Sequence, residues 1–336
     1  MRVLIIGAGR MGMRHALGTA SVSEVQEVAL ADISVTAIDN AKEQIKNIPD
    51  ADKFSYHLLE DIDGLTGFDI GIVSATASDR IGLCHKIVQS GCKYILIEKP
   101  LGQSIREVHE LIAFFRESDV MAFVNLNMRV YPDSLKLKRD LDNLPQFQGK
   151  KRITINTGTV GIGANGIHYL DYLFFLTNAD SAKLLSAEID TTTIPSARGP
   201  QFKDFGGWCV ISLSKENEEV AKVFLSVNPE STVFGGWDII GPHGRITINE
   251  CSCTRVDYLR NTDSLMPIQR YNADYGQSVE TIFNSPMLGD LTRLWIEGLA
   301  KGELLLPSLE EALASHELMF AWLSKSKEFK DSFPIT

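Results

Sequence analysis

Three groups of residues have the types and spacing for chemistry. The first is Gly7-Ala8-Gly9-Arg10-Met11-Gly12, a GxGxxG run entered directly from the apolar stretch Val3 to Ile6. In such a run the first glycine permits a tight turn, the second lets main chain approach a pyrophosphate, and the third lets a helix pack closely on a strand. The amides and positive dipole end of the following helix then point at phosphate. Gly7, Gly9, Arg10, Met11 and Gly12 are therefore candidate cofactor contacts. Asp32 closes the apolar part of the run EVALADI, twenty residues after Gly12, where a carboxylate can accept hydrogen bonds from adenosine ribose hydroxyls. It would repel a 2′-phosphate and no arginine follows closely to offset that, so NAD is favoured over NADP. The second group is Glu98-Lys99-Pro100, closing the apolar run KYILIEKPLG. The third is His168 in GANGIHYLDYL, where small residues give way to a helical pattern. An imidazole, with an unperturbed pKa of about 6.5, can carry a proton near neutral pH.

These residues need elements to place them. FDIGIVSATAS (68–78) reads as a buried strand ending in small polar residues, with Thr76 where a loop can pass over a cofactor. DRIGLCHKIVQSG reads as a helix closed by Gly91, KYILI as a buried strand, SIREVHELIAFFRES (104–118) as a helix, and MAFVNLNMRVYP as a strand leading out of the domain. Alternating helices and apolar strands imply a parallel, doubly wound sheet. Ligands of such sheets bind beyond the carboxyl ends of the strands, and Gly12, Asp32, Thr76 and Lys99 all fall at or just past those ends. Asn125, Arg129 and Tyr131 follow and are polar enough to line a cleft. A second domain opens on the alternating strand QGKKRITINTGTVG, with Trp208 and Trp237 able to pack between its sheet and a partner.

A chain of 336 residues is long for one core and fits two domains. A net charge of −10 argues against general nucleic-acid binding, which needs basic surfaces. No apolar run is long enough to cross a bilayer, and the opening strand runs into glycines rather than a signal-cleavage site. The five cysteines form no CxxC pair, so they read as reduced thiols in a cytoplasmic protein, with no metal site expected.

The N-terminal GxGxxG, the strand ending in Glu98-Lys99-Pro100 and the segment Gly166-Ile167-His168 with Asp171 together resemble the Gfo/Idh/MocA oxidoreductases. GPHGRITI (241–248) and LPSLEEALASHEL (306–318) extend the resemblance over nearly the whole chain. It implies an α/β fold: an N-terminal Rossmann domain over 1–122, an α+β substrate-binding and oligomerisation domain with an open, mostly antiparallel sheet over 123–310, and a C-terminal helix over 311–336 packing back on the first domain. It also implies that Lys99 contacts the reacting oxygen and that His168 is the general acid/base. The chemistry agrees. Removing hydride from a carbinol carbon requires loss of the hydroxyl proton to a base within reach, and a lysine beside the oxygen stabilises alkoxide character. Glu98 reads as an orienting carboxylate beside the cofactor, and Lys99, Asn125, Arg129, Asn165 and His168 are the candidate substrate contacts.

The family commonly has an aspartate four residues before the histidine, where this chain has Ala164. Asn165 stands next to that position, either taking over substrate binding without the charge or serving as a helix N-cap. Helical phase puts Ile167, Leu170 and Phe174 on an apolar stripe, with His168, Asp171, Tyr172 and Phe175 on an adjacent face. The cofactor loop also departs, with Ala77 for the usual proline and Arg80 near the usual histidine. Arg198, Lys203 and Arg245 can meet an acidic substrate group but read better as solvated surface. The expected function is NAD-dependent oxidation or reduction of a sugar, cyclitol or nucleotide-sugar-like substrate by a homodimer or homotetramer. The alternatives are a non-catalytic NAD(P)-binding sensor on the same fold, or a dehydratase or racemase-like enzyme with a recycled cofactor.

Overall fold

The apolar runs of the first third become the strands of one sheet. The computed structural model describes residues 1–159, 161–195, 201–260, 277–284, 286–327 and 332–335. In chain order the first elements are β1 (Arg2–Ile6), α1 (Arg10–Ala20), β2 (Glu27–Asp32), α2 (Val35–Ile45), β3 (Phe54–Leu58), β4 (Ile70–Val73), α3 (Arg80–Gln89), β5 (Tyr94–Ile97), α4 (Ile105–Arg116) and β6 (Met121–Val124). The strands pair in parallel in the order β3-β2-β1-β4-β5-β6. Val3, Leu4, Ile5, Val28, Leu30, Ile70, Ile72, Ile95 and Ile97 are fully buried, as helices on both faces of a parallel sheet require. The doubly wound reading therefore holds. Local signals set the helix ends: Ser104 Oγ caps α4 by accepting from the Glu107 amide, and Gly91 takes φ +90° just beyond α3.

The remaining elements are α5 (Pro132–Asn143), β7 (Lys151–Gly158), α6 (Ile167–Thr177), β8 (Ser181–Pro195), β9 (Lys203–Lys215), β10 (Glu218–Asn228), β11 (Gly236–Ile240), β12 (Gly244–Asn249), β13 (Thr254–Leu259), β14 (Gln277–Ile282), α7 (Leu288–Ala300) and α8 (Leu309–Leu323). Strands β7 to β14 form a second sheet in the order β14-β13-β12-β11-β7-β10-β9-β8, antiparallel except where β7 meets β10. Alternation divides its faces. Ile153, Ile155, Val223 and Leu225 are buried, while Arg152, Thr154, Asn156, Phe224 and Ile240 are exposed.

The chain divides into two compact units. One comprises Met1–Val130, Pro286–His316 and Ile335–Thr336; the other comprises Tyr131–Ser285 and Glu317–Pro334. The first unit thus runs past residue 122 and regains α7 and the first half of α8 from late in the sequence. Helix α7 fits tightly on α1, where a Cβ on Gly18 would lie 2.1 Å from the Gly289 carbonyl oxygen.

Helix α6 corrects the phase reading in part. His168 and Phe175 are half-buried, but Asp171 and Tyr172 are only 1% and 4% exposed. The sheet side of α6 is wider than the stripe drawn from periodicity, because Tyr169 and Tyr172 both pack on Trp237 of β11, ring centres 5.3 and 5.2 Å away. Trp237 is accordingly an internal residue. Trp208 instead stacks on Phe224, 6.1 Å apart.

All five cysteines are free thiols. Burial pushes Cys84 up to about 12 and Cys92 to about 11, and raises Cys209 as well, so these three stay protonated. Among the described residues no helix is long and apolar enough to cross a membrane, and no group of three or more His, Cys, Asp or Glu residues is arranged to hold a metal.

Candidate active-site residues

The turn between β1 and α1 is built by three glycines under different constraints. Gly7 has φ +107°, and a Cβ there would sit 2.9 Å from the Ala75 nitrogen and the Ser74 carbonyl carbon. A Cβ on Gly12 would lie 1.7 Å from the Gly7 carbonyl oxygen, so the first turn of α1 closes on the loop only without a side chain. Gly9 differs: it caps α1 with no side-chain hydrogen bond, and a Cβ built on it meets nothing within 4 Å. The loop therefore leaves an open cradle at the helix N-terminus, a fit for the pyrophosphate of a dinucleotide. Arg10 is exposed beside it and Met11 half-buried.

Asp32 is held at the same edge. Its Oδ2 accepts from the Ala8 amide at 2.7 Å and its Oδ1 from the Ser34 amide at 2.8 Å. An ionised carboxylate has about four acceptor sites, so these two bonds fix it and leave capacity toward ribose hydroxyls. Thr76 lies in the loop after β4 with its Oγ1 3.1 Å from Ser78 Oγ, and neighbouring Ala77 is fully buried.

Lys99 follows the end of β5 and is 5% exposed. The chain is fixed on both sides of it. Upstream, Glu98 Oε1 accepts from Asn125 Nδ2 at 2.8 Å and lies 2.9 Å from His15 Nε2. Nδ1 of His15 is 2.8 Å from Thr292 Oγ1, whose hydroxyl donates to the Leu288 carbonyl at 3.0 Å. His15 thus bridges the Thr292 hydroxyl and the Glu98 carboxylate with its two ring nitrogens. The imidazole and the carboxylate lie side by side and fully buried. Downstream, the Leu101 amide donates to His316 Nε2 at 3.1 Å, and His316 Nδ1 donates to the Ala312 carbonyl at 2.7 Å. Burial lowers the His316 pKa to about 4, in keeping with this neutral tautomer. Asn125, named as a substrate contact, directs its amide nitrogen to Glu98; Arg129 lies half-buried in the turn Asn127–Val130.

In the second unit, Ile162–Gly166 forms a π-helical turn leading into α6. This overturns Asn165 as the helix N-cap. Asn165 lies inside the turn, and α6 starts on Gly166 with no side-chain cap. The capping comes from β9: Asp204 Oδ1 accepts from the Gly163 amide at 2.9 Å and Oδ2 from the Ala164 amide at 2.7 Å. His168 stands half-buried in the first turn of α6. Its neighbour Tyr169 donates to both Glu250 carboxylate oxygens at 3.1 Å, and Trp237 Nε1 donates to Oε1 at 2.9 Å. Burial raises the Glu250 pKa, and those two hydrogen bonds oppose the rise.

The first unit thus gathers Gly7, Gly9, Arg10, Met11, Gly12, Asp32, Thr76, Glu98, Lys99, Asn125 and Arg129; the second carries Asn165 and His168. Arg245 is bound to Asp238 at 2.6 Å, Lys203 is half-buried, and Arg198 lies outside the described residues. His15, Thr292, His316, Asp204 and Glu250 were not legible from sequence, since each acts on a partner far along the chain.

Comparison with known proteins bears on the fold. Residues 1–126 match the family model described as "Oxidoreductase family, NAD-binding Rossmann fold" (GFO_IDH_MocA). Myo-inositol 2-dehydrogenase of Thermotoga maritima is 27% identical over 146 residues, which span 43% of this chain and 41% of that protein. The match to that curated relative thus spans about two fifths of its length. Two solved structures share the fold along the chain. An oxidoreductase from Agrobacterium radiobacter, in complex with NAD+, L-tartaric acid and magnesium, has a TM-score of 0.74 at 14% identity, covering 97% of this chain and 96% of its own. Levoglucosan dehydrogenase in complex with NADH has a TM-score of 0.73 at 14% identity, with both chains fully covered. The glycine cradle, Asp32 and the buried Glu98 before Lys99 all lie within residues 1–126, the segment that matches the Gfo/Idh/MocA family's model of an NAD-binding Rossmann fold.

Proposed function

We propose that this protein is an NAD-dependent oxidoreductase acting on a hydroxyl or carbonyl carbon of a sugar, cyclitol or nucleotide-sugar-like substrate. The observation that carries the reading is the open cradle at Gly9 on the same sheet edge as Asp32 and a fixed, nearly buried Lys99. Bound NAD supplies the hydride acceptor. Asp32 takes the ribose hydroxyls and disfavours a 2′-phosphate. Lys99 donates a hydrogen bond to the reacting oxygen and stabilises its developing negative charge. Glu98, held by His15 and Asn125, fixes the main chain from which Lys99 projects. His168 accepts the hydroxyl proton in oxidation and returns it in reduction. Asn165 and Arg129 contribute hydrogen bonds to substrate. The inositol and levoglucosan dehydrogenases among its relatives support a polyol or sugar substrate.

Homodimer or homotetramer formation through the second sheet is part of the proposal, supported by exposed Phe224 and Ile240 on its uncovered face. A second reading, an NAD(P)-binding sensor, is favoured by Ala164 standing where a carboxylate is expected. A panel of polyols, sugar acids and nucleotide sugars, followed by NADH absorbance, separates the two. Reduction of NAD by at least one member is expected. Stabilisation of the protein by NAD with no turnover on any member would support the sensor.

A further inference from the structure

The segment before α6 opens with unusual geometry. The Asn165 amide donates to the Gly161 carbonyl at 3.0 Å and the Gly166 amide to the same oxygen at 3.1 Å, so the turn holds one residue more than an α-helical turn. Its leading amides have no carbonyl earlier in the helix to bind. Gly161 caps the turn without a side-chain hydrogen bond. The acceptor comes instead from forty residues later in the chain. Asp204 spans the Gly163 and Ala164 amides with its two oxygens, and Oδ1 also takes its own neighbour's amide, Phe205, at 2.9 Å. The residue is 7% exposed.

A second observation ties the turn to this carboxylate. A Cβ on Gly161 would fall 2.2 Å from Asp204 Cγ and 2.5 Å from Oδ2. Gly161 and Asp204 are therefore matched: the glycine makes the space that the carboxylate fills. The charge absent from the side chain at Ala164 is present at that residue's own amide.

We propose that Asp204 is a positioning residue, which clamps the π-turn and thereby sets the place and orientation at which His168 leaves it. The proposal rests on the reading of His168 as the acid/base. Extra residues in a helical turn rotate everything that follows, and Asp204 selects that form by binding two adjacent amides at once. It touches the backbone of the turn and serves substrate only through His168 and Asn165.

The test uses the full-length protein labelled with ¹⁵N-histidine, the His168 imidazole signal being identified by its loss in His168→Gln. Asp204→Ala removes all three acceptor contacts; Asp204→Asn keeps one acceptor oxygen; Gly161→Ala displaces the carboxylate from the opposite side. In Asp204→Ala and Gly161→Ala the His168 signal is expected to shift or broaden, with partial return in Asp204→Asn and NAD affinity unchanged. On a panel substrate, kcat should fall about a hundredfold, as for a catalytic group displaced by about 1 Å, with KM little altered. A His168 signal superimposable on wild type in folded Asp204→Asn and Gly161→Ala would overturn the proposal, as would an unchanged kcat. If the wild type turns over no substrate, the oxidoreductase reading fails by itself, and the imidazole signal alone still decides the role of Asp204.

Discussion

Lys99 and Asp32 owe their positions to hydrogen bonds made by their neighbours and by the main chain. Asp32 is held by the Ala8 and Ser34 amides, which fixes a negative charge beside the phosphate cradle. Asp32→Ser should therefore weaken NAD about tenfold or more, the worth of a charge-assisted hydrogen bond, and narrow its advantage over NADP. Titration of both cofactors by fluorescence reads this directly, and an unchanged ratio would remove Asp32 from the ribose. Glu98 is the more buried carboxylate, and His15 and Asn125 are among its partners. His15→Leu removes one buried hydrogen-bond partner of Glu98 and should cost about 1–3 kcal/mol in denaturant unfolding. Restoration of stability by the added change Glu98→Gln would show that the lost contact to the carboxylate is the cause. Asp32 and Lys99 were legible because strand patterns and a local motif mark where they fall. The contact of His15 with Glu98 was not, since His15 to Glu98 spans 83 residues and His15 to Thr292 spans 277.

At the scale of elements, glycine sets how closely helices and strands approach. Gly12 was read from the motif as the residue that brings helix to strand, and its contact with Gly7 is of that kind. Gly18 carries no motif, yet it decides the crossing of α1 and α7 against the Gly289 backbone. Gly18→Ala forces two main chains apart and should lower stability by about 1–3 kcal/mol, seen as a lower Tm. An unchanged Tm would mean that the crossing is loose. Periodicity gave α3 and α4 nearly to their ends because buried strands and capping residues bound them on both sides. It misjudged α6, whose Tyr172 meets Trp237 and whose preceding turn is held by Asp204. Both partners lie in strands that come later in the chain, so nothing within the helix marks them.

For the molecule as a whole, acidity is a sensitive variable. The folded His316 pKa, about 4, is below its unfolded value of about 6.5. A depressed histidine contributes stability that is present above the unfolded value and lost as pH falls toward the folded one. The difference amounts to roughly 3 kcal/mol by linkage. The wild-type Tm should thus drop between pH 6.5 and pH 4 by more than that of His316→Gln, in which no group titrates at this position. Parallel curves for the two proteins would exclude His316 as the cause. Protonation would also release the Leu101 amide, two residues beyond Lys99, so NAD turnover should fall over the same range. The most direct test of the central claim is NADH formation on a panel substrate by wild type, Lys99→Ala and His168→Ala, with NAD affinity measured beside it. Near-complete loss of turnover in both variants with NAD binding retained is the predicted result; wild-type turnover in both would contradict the account.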